Sequence, residues 1–277
     1  MTQKSILITG CSSGIGYHAA HALHARGWRV FATCRQEKDC KRLRGEGLES
    51  FKLDLASKAS ILKAAKEALK RTGGTIDAVF NNGAFAVPGF VQDLPIEGLR
   101  ELFEVNFFGQ FELIRALMPA MEAQGHGRIV NCSSVLGLVA MRGRGAYISS
   151  KFAMEGLSDT LRIETAGRPL DIVLIEPGPI TSQIRQNARK PFEKWIDWEN
   201  SPRRKLYEKV LIPRLYEKNK EPDPFELPPD AVTKKIIHAL ESRRPRARYY
   251  VTTPTYFMGF FKRILPTRWL DALLIRV

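Results

Sequence analysis

Six short runs of apolar and β-branched residues, separated by helical patterns, constrain the fold of this chain most. They lie at residues 5–10, 28–34, 50–55, 76–81, 127–133 and 171–177. Strands that alternate with helix-length crossovers form βαβ units, and such units build a parallel sheet with helices on both faces. A further strand is expected in ARYYVTTPTY, residues 247–256. The pattern predicts one doubly wound α/β domain over residues 1–277, with a mostly parallel sheet of about seven strands.

Two long helical patterns, at residues 94–124 and 147–166, belong to the second half of this array. Both carry more apolar surface than one sheet face hides, so we expect a subunit interface in a homodimer or tetramer. The periodicity disappears between Thr181 and Pro229, where prolines, charges and aromatic residues mix. Because long irregular segments in compact domains are usually functional, residues 183–229 are interpreted as a substrate lid.

Basic residues exceed acidic ones, giving a net charge of +14, and most of the excess follows residue 184. An anionic cofactor or substrate, an acidic membrane surface, or nucleic acid would each match this charge. We disfavour nucleic acid because the chain carries no reader motif. Residues 256–277 interleave aromatic and aliphatic groups with arginine and lysine, a pattern typical of a packed tail or of an interfacial segment. We prefer packing and keep peripheral membrane contact as the alternative.

The N-terminal residues, MTQKSILITG, lead directly into a short apolar strand, without the basic and long apolar regions of a signal peptide. No window approaches the roughly 18 apolar residues that span a bilayer. The cysteines are Cys11, Cys34, Cys40 and Cys132. They show neither CxxC nor Cys/His ligand spacing, and such scattered cysteines suggest a reducing compartment. We therefore expect a cytoplasmic protein without a metal site.

The first predicted strand ends in ITGCSSGIG, a glycine-rich turn that opens the first helix. Glycine lets a backbone approach a pyrophosphate closely, and a helix N-terminus favours negative charge. The spacing is GxxxGxG, and its position between the first strand and the first helix indicates a dinucleotide site. The predicted contacts in this turn are Gly10, Ser12, Ser13, Gly14, Ile15 and Gly16.

The end of the second strand selects between NAD and NADP in such folds, because an acidic residue binds the ribose 2′-hydroxyl whereas arginine suits a 2′-phosphate. A cysteine stands at the acidic position here and Arg35 follows it, which favours NADP(H) over NAD. Alternatively, Arg35 is an ordinary surface charge and Glu37 binds the ribose. Asp54, with Leu55 beside it, is expected either to accept from the adenine amino group or to cap the helix at 57–71.

The stretch GAYISSKFAMEG, residues 145–156, sets Tyr147 and Lys151 four residues apart at the start of a predicted helix. This spacing places both side chains on one helix face. An ammonium beside a phenol favours the phenolate and lowers the pKa of the tyrosine, so the phenol would exchange protons near neutral pH. The same spacing also arises by chance on a solvated helix, and its chemistry depends on the neighbouring motifs.

Six motifs follow one another along the chain: TGCSSGIG (9–16), NNGA (81–84), VNFFG (105–109), VNCSS (130–134), YISSK (147–151) and EPGPI (176–180). Together they resemble the classical short-chain dehydrogenase/reductase family. The glycine turn and Arg35 are most similar to the branch with 17β-hydroxysteroid and retinol dehydrogenases and bacterial NADP-dependent aldehyde reductases. The resemblance implies a Rossmann fold, an NADP(H) cofactor, and interconversion of an aldehyde or ketone and an alcohol.

The resemblance also implies roles for four side chains. Tyr147 would donate a proton to the substrate oxygen, and Lys151 would bind the nicotinamide ribose and lower the pKa of the tyrosine. Ser134 would hydrogen-bond the substrate carbonyl, and Asn106 would hold a water for proton relay. Without the resemblance, Ser134 is a strand-end hydroxyl and Asn106 a helix residue that bonds locally.

Further cofactor contacts are implied in two loops. They are Asn81, by the adenosine ribose, and Gly83, Pro177, Gly178, Ile180, Thr181 and Ser182. The chain departs from the family at NNGA, which is usually NNAG, and at Ser182, where a threonine usually contacts the carboxamide. Thr181 and Ser182 both stay candidates for that contact.

The surroundings of Ser134 and the lid bear on the substrate. Apolar residues flank the serine at Val135, Leu136, Val139 and Met141, and the lid is rich in aromatic residues. An apolar carbonyl compound is therefore expected, such as a long-chain or aromatic aldehyde, a retinoid or a steroid. The basic lid would instead suit an anionic substrate such as an acyl thioester, and the sequence leaves both open.

Two alternatives to a free carbonyl reductase remain. A redox sensor would bind NADP(H) without turnover, but such a protein would not need all four catalytic side chains at once. A reductase of lipid-like carbonyl compounds would associate with a membrane through residues 256–277, which liposome sedimentation tests.

Overall fold

The structure, a computed structural model, describes residues 3–217 and 221–275. Its strands are β1 (Ser5–Ile8), β2 (Arg29–Cys34), β3 (Glu49–Lys52), β4 (Ala78–Asn81), β5 (Gly127–Cys132), β6 (Leu170–Glu176) and β7 (Arg248–Tyr250). They form one sheet in the order β3-β2-β1-β4-β5-β6-β7, and each neighbouring pair is parallel. The doubly wound α/β prediction is confirmed.

Helices cover both faces of the sheet and its carboxyl edge. They are α1 (Gly14–Ala25), α2 (Glu37–Gly45), α3 (Lys58–Arg71), α4 (Ile96–Phe103), α5 (Gly109–Ala123), α6 (Gly145–Glu164), α7 (Ile184–Asn187), α8 (Arg189–Trp195), α9 (Arg204–Leu206), α10 (Ile212–Tyr216), α11 (Pro229–Glu241), α12 (Thr253–Ile264) and α13 (Thr267–Leu274). Within residues 3–217 and 221–275, no helix is long and apolar enough to cross a bilayer.

Alternation along the strands divides the core into two layers. Successive side chains of a strand point to opposite faces of the sheet, so Ile6 and Ile8 pack with α1, α2 and α11, whereas Leu7 packs with α3 and α5. All three side chains are fully buried. Removing this apolar surface from water is the main force that holds the helices on the sheet.

The pattern at residues 94–124 predicts one helix, and the structure divides it. A π-helical turn, Glu104–Phe108, joins α4 to α5. The extra residue of a π turn shifts the helix face, and such turns occur frequently at functional sites. Asn106, one of the predicted catalytic residues, lies within this π-helical turn.

The 183–229 segment is more regular than the sequence indicates. It contains α7 to α10 and a π-helical turn at Tyr207–Leu211. Phe192 and Tyr207 are buried in a third apolar cluster, against which Trp195 packs. Each helix here is too short to show a period in the sequence, which explains why the pattern predicts irregular structure. Residues 218–220 lie outside the described part of the chain.

The C-terminal tail differs from the preferred expectation. Strand β7 ends at Tyr250, and α12 already begins at Thr253 within the stretch expected to be a strand. Thr255, Gly259 and Leu270 are buried, but larger side chains are more than half exposed. They are Phe257 at 55%, Phe260 at 57%, Ile264 at 55% and Trp269 at 69%. Packing is therefore the wrong expectation for these four side chains, because they lie on the sides of α12 and α13 that face away from the domain; residues 276–277 lie outside the described range.

Candidate active site

A cleft opens at the carboxyl end of the sheet, where the strand order reverses. Strands β1 and β4 are neighbours in the sheet, although β2 and β3 separate them in sequence, and ligands of open α/β sheets bind at such a switch point. The loops after β1, β4, β5 and β6 line the cleft together with part of the 183–229 segment. It encloses about 1610 Å³ of space, its open mouth included.

The glycine turn after β1 is built for close backbone approach. Gly10 and Gly14 have φ of 72° and 60°, which favours glycine. A Cβ on Gly10 would lie 2.7 Å from the Cα of Gly83, and a Cβ on Gly16 would lie 2.5 Å from the carbonyl oxygen of Gly10. Neither position therefore tolerates a side chain.

The N-terminus of α1 fits an anion. Its first turn holds no acidic residue, and the hydroxyl of its N-cap, Ser13, makes no capping bond. The N–H groups of the first turn therefore keep their positive end directed toward the cleft. The cleft is lined here by Gly10, Ser12, Ser13, Gly14 and Ile15, whereas Gly16 is buried behind it. These features fit the pyrophosphate of a dinucleotide.

Arg35 lies directly after β2 with an exposed side chain. Glu37, the alternative ribose ligand, forms an ion pair with Arg44 at 2.5 Å. Arg42 donates through Nη2 to the carbonyl oxygen of Ser12 at 2.6 Å. Sequence reasoning missed Arg42, because it belongs to no motif and only the packing of α2 brings it to the glycine turn.

Asp54 and Leu55 lie beyond β3 and do not line the cleft. The Asp54 carboxylate accepts a hydrogen bond from the backbone N–H of Ala56 at 3.0 Å. Ser57 caps α3 instead, since its hydroxyl accepts from the N–H of Ser60. The capping alternative for Asp54 is therefore wrong, while Leu55 is buried in the core.

The NNGA loop places its two asparagines differently. Asn81 is fully buried, and its Nδ2 donates to Oδ1 of Asn131 at 2.9 Å. Asn82 lines the cleft and donates to the Thr9 carbonyl at 3.0 Å. Gly83 also lines the cleft, and its N–H donates to the Thr9 hydroxyl at 2.9 Å. A motif does not distinguish two adjacent asparagines, and the structure puts the second one at the cleft.

Tyr147 and Lys151 lie one turn apart on α6, and both line the cleft together with Ser134. The Lys151 ammonium donates to the carbonyl oxygen of Cys132 at 2.7 Å and lies 5.4 Å from the centroid of the Tyr147 ring. The Ser134 hydroxyl accepts from the N–H of Leu136 at 3.1 Å, which fixes its orientation. The three predicted side chains therefore meet on one wall.

The electrostatics of Tyr147 differ from the sequence expectation. Burial raises the pKa of its phenol, and nearby Cys132 adds to the rise, whereas hydrogen bonding with Ser134 and the positive charge of Arg144 lower it. Burial also lowers the pKa of Lys151. The structure thus holds the phenol above its ordinary pKa instead of near neutrality, because desolvation of the phenolate outweighs the nearby cations.

Asn106 is fully buried in the π-helical turn and does not line the cleft. Its Oδ1 accepts from the N–H of Phe85 at 3.0 Å, and its Nδ2 donates to the Phe85 carbonyl at 2.9 Å and to the Ser150 hydroxyl at 3.3 Å. The side chain therefore ties the loop after β4 to α6, one residue before Lys151.

The loop after β6 also reaches the cleft. Its lining residues are Pro177, Gly178, Ile180 and Ser182. A Cβ on Gly178 would lie 2.0 Å from the Thr252 hydroxyl, so only glycine fits there. The Thr181 hydroxyl donates to Glu226 at 2.8 Å and does not line the cleft.

The remaining wall is apolar and basic. Val135, Leu136, Met141, Ile184 and Leu215 contribute apolar surface, whereas Val139 is buried without lining the cleft. Arginines contribute at three positions, Arg144, Arg185 and Arg214. Most aromatic side chains of the 183–229 segment pack into the third cluster, Phe225 is exposed, and none of these described side chains lines the cleft. Arg144 was missed because no motif includes it.

Comparisons with known proteins agree with this geometry. The family model "short chain dehydrogenase" matches residues 4–192. The chain is 38% identical to the oxidoreductase YbbO of Escherichia coli (strain K12), covering 98% of this chain and 94% of that one. It is 31% identical to retinol dehydrogenase 16 of Mus musculus (99% and 88%) and 30% identical to the NADPH-dependent 3-dehydrocapnine reductase of Ornithobacterium rhinotracheale (96% and 94%).

Among solved structures, a short-chain dehydrogenase/reductase of Burkholderia phymatum in complex with NAD is similar over 98% of this chain and 95% of that one. Its TM-score is 0.78 at 26% identity. One relative is thus named for NADPH and one solved structure holds NAD. The comparisons support binding of a nicotinamide dinucleotide. They do not decide between NAD and NADP(H).

Proposed function

The chain belongs to the short-chain dehydrogenase/reductase family of oxidoreductases, and from that membership we propose that it is an NADP(H)-dependent enzyme that interconverts an aldehyde or ketone and an alcohol. The observation that carries this proposal is the meeting of Tyr147, Ser134 and Lys151 on one wall of a cleft whose other end is the glycine turn. We propose an apolar body for the substrate, because apolar side chains contribute much of the wall. The 183–229 segment acts as its lid.

The proposed mechanism assigns one task to each side chain. Bound NADPH supplies the hydride. The carbonyl oxygen gains negative charge as hydride arrives, and preoriented donors stabilise that charge. Ser134 donates a hydrogen bond to the oxygen, and Tyr147 transfers the proton. Its raised pKa keeps the phenol protonated at neutral pH, which is the form that donates, while Lys151 binds the nicotinamide ribose.

Two assignments follow from how neighbouring side chains are engaged. Asn106 serves the proton relay, and its bonds to Phe85 and Ser150 hold the loop after β4 against α6. Ser182 contacts the carboxamide in preference to Thr181, because the Thr181 hydroxyl is bonded to Glu226. Asn82 and Gly83 flank the adenosine side, with Asn81 as structural support behind them.

NADP(H) is the proposed cofactor in preference to NAD. Glu37 pairs with Arg44, while Arg42 donates to the Ser12 carbonyl of the glycine turn and the exposed Arg35 directly follows β2. An Arg35→Ser variant is expected to raise the Kd for NADPH by about 10–100-fold, since it removes a charge-assisted hydrogen bond to the 2′-phosphate. Fluorescence titration with NADPH and NADH measures both values.

A matched control is Lys38→Ser, which removes an exposed positive charge from the neighbouring helix. The Kd for NADH should change little in either variant, because NADH lacks the phosphate. An equal loss for NADPH and NADH in Arg35→Ser, or no loss for either, would refute the assignment of Arg35.

A homo-oligomer is proposed because apolar side chains remain exposed on the long helices. They are Phe108, Phe111, Phe152 and Ile163, with exposures of 49%, 37%, 39% and 73%. Such surface is usually covered in an assembly. Light scattering at micromolar protein should give a dimeric or tetrameric mass, and a monomeric mass would contradict the proposal.

The exposed tail favours an added membrane contact. Phe257, Phe260 and Trp269 protrude beside Lys262 and Arg263, and aromatic groups with cations favour an anionic lipid interface. The wild type should sediment with phosphatidylserine vesicles, and a variant with Phe257→Ser, Phe260→Ser and Trp269→Ser should stay in the supernatant. Equal partitioning of the two proteins would exclude the tail as the contact.

A further inference from the structure

Three arginines meet on the substrate side of the cleft. Arg144 directly precedes α6, Arg185 lies in α7 and Arg214 lies in α10, and all three line the cleft. They come from segments far apart in sequence, so folding alone brings them together. Their neighbours on this wall include apolar residues such as Leu136 and Leu215. Cations among apolar groups need either water or counter-charge.

Among the described residues, the carboxylates that line the cleft, Asp223 and Glu226, do not pair with all three arginines. Asp223 pairs with Arg185 at 2.5 Å and with Arg214 at 3.0 Å. Glu226 is engaged by the Thr181 hydroxyl and by the N–H of Asp223. Within residues 3–217 and 221–275, the guanidinium of Arg144 has no hydrogen bond or ion pair with a side chain or the backbone.

Arg214 provides a second, independent indication that hydrogen-bond acceptors are missing here. Its Nε is buried and, among the described residues, has no hydrogen-bond acceptor. A buried donor without an acceptor is destabilising, and native proteins usually satisfy such groups. The unpaired Nε and the unpaired Arg144 guanidinium belong to one cleft.

Repulsion among the three arginines adds to the lack of counter-charge. Burial, together with the charges of Arg214 and Arg185, lowers the pKa of Arg144 to about 10, with Asp223 opposing. Arg144 is still positive at neutral pH, so three positive charges line one cleft, and Asp223 forms ion pairs with two of them. An anion bound there would relieve the repulsion and supply acceptors for the Arg144 guanidinium.

We propose that Arg144, Arg185 and Arg214 form an anion subsite in the substrate pocket, so that the substrate joins its carbonyl and apolar body to a carboxylate, sulfonate or phosphate. The inference rests on the proposed reductase function and narrows its substrate class. The glycine turn is the phosphate site of the cofactor, whereas Arg144 lies one turn before Tyr147, on the wall where the substrate oxygen is protonated.

Binding without turnover tests the subsite. The probes are two alcohols, para-(hydroxymethyl)benzoate and an ω-hydroxy fatty acid, each compared with its neutral methyl ester. Calorimetry on the NADPH complex gives four Kd values, because an alcohol and NADPH do not react. We expect at least one carboxylate to bind about 10–100-fold more tightly than its ester, as a charge-assisted bidentate bond predicts.

The variant Arg144→Met should abolish that preference, while Arg142→Met, two residues earlier and exposed outside the cleft, should keep it. The Kd for NADPH is measured for each variant. Equal binding of both acids and their esters to the wild type would overturn the subsite. So would an Arg144→Met variant that keeps the acid preference, or one that loses only NADPH affinity, since the arginines would then serve the cofactor.

Turnover of the corresponding aldehydes separates this inference from the proposed function. The readout is the ratio of kcat/KM for each acid to that for its ester, which cancels any shared effect of Arg144 on the Tyr147 phenol. A ratio that falls about 10–100-fold in Arg144→Met supports the subsite. Reduction of acids and esters with equal efficiency would refute the subsite and leave the reductase intact. Selective binding without reduction would keep the subsite and refute the reductase.

Discussion

Replacing Tyr147 with phenylalanine is expected to lower kcat by about 10²–10⁴-fold, the usual contribution of a positioned general acid. The phenol is the proton donor of the proposed mechanism, and a phenylalanine ring keeps the packing on α6 while removing the proton. Stopped-flow or steady-state measurement of NADPH oxidation at saturating substrate checks the value. The Kd for NADPH should change by less than about threefold, since the adenosine and pyrophosphate contacts are elsewhere.

The matched control is Tyr256→Phe, which removes an exposed phenol from α12, away from the cleft. It should retain wild-type turnover. A Tyr147→Phe variant with kcat within about threefold of the wild type would show that another group supplies the proton, and the proposed mechanism would fail.

The second large effect concerns folding. Replacing Arg248 with methionine is expected to lower the free energy of unfolding by about 3–5 kcal/mol, the cost of removing one partner from a buried ion pair. Arg248, on β7, donates to Glu155, to Glu176 at 2.6 Å and to Asp159 at 2.7 Å. Glu176 is fully buried and Glu155 nearly so. Without the guanidinium, two buried carboxyl groups share no cation.

The effect should depend on pH. Burial, together with the neighbouring Glu155, raises the pKa of Glu176 to about 8, while Arg248 opposes the rise. This folded value exceeds the ordinary glutamate pKa of about 4.3, so the folded protein holds a proton that the unfolded chain releases. The contribution is complete below about pH 4.3 and is lost as the pH rises toward about 8. In the Arg248→Met variant this loss of stability continues to higher pH. The difference in the free energy of unfolding between the variant and the wild type therefore increases as the pH rises.

Urea denaturation of both proteins at about pH 5 and about pH 8 measures this difference. Arg243→Met removes an exposed arginine from the preceding loop and should cost less than about 0.5 kcal/mol. Equal stability of Arg248→Met and the wild type at both pH values would show that the cluster does not hold β7 and α6 together. Activity should fall with stability, because Glu176 directly precedes Pro177 of the cleft and Glu155 lies one turn beyond Lys151.

Much of the fold follows from local rules. The alternation of Ile6, Leu7 and Ile8 is enough to assign two faces to a strand, and the sheet order confirms the doubly wound arrangement. Tyr147 and Lys151 share a wall because a fixed helical spacing brings them together. Patterns of this kind are read within one element, so the sequence predicts them well.

Other features depend on contacts between distant segments. The meeting of Arg144, Arg185 and Arg214 requires the packing of three helices around one cleft, and no spacing in the sequence indicates it. The pKa of Tyr147 depends on burial, which outweighs the charges that the spacing suggests. The sequence likewise assigns the asparagine contact to Asn81, because only the register of β4 shows which of two neighbours faces the cleft.

The transfer of hydride from NADPH to a carbonyl is tested most directly by following the transferred hydrogen. The wild type is incubated with NADPH that carries deuterium at both C4 positions of the nicotinamide, and with aldehydes, ketosteroids and retinal in turn. Mass spectrometry then measures deuterium in the alcohol. We expect one deuterium per product molecule in at least one substrate class, and deuterium incorporation slowed by about 10²–10⁴-fold with Tyr147→Phe. Tight NADPH binding by calorimetry without deuterium transfer to any compound would contradict the reductase and favour a redox sensor.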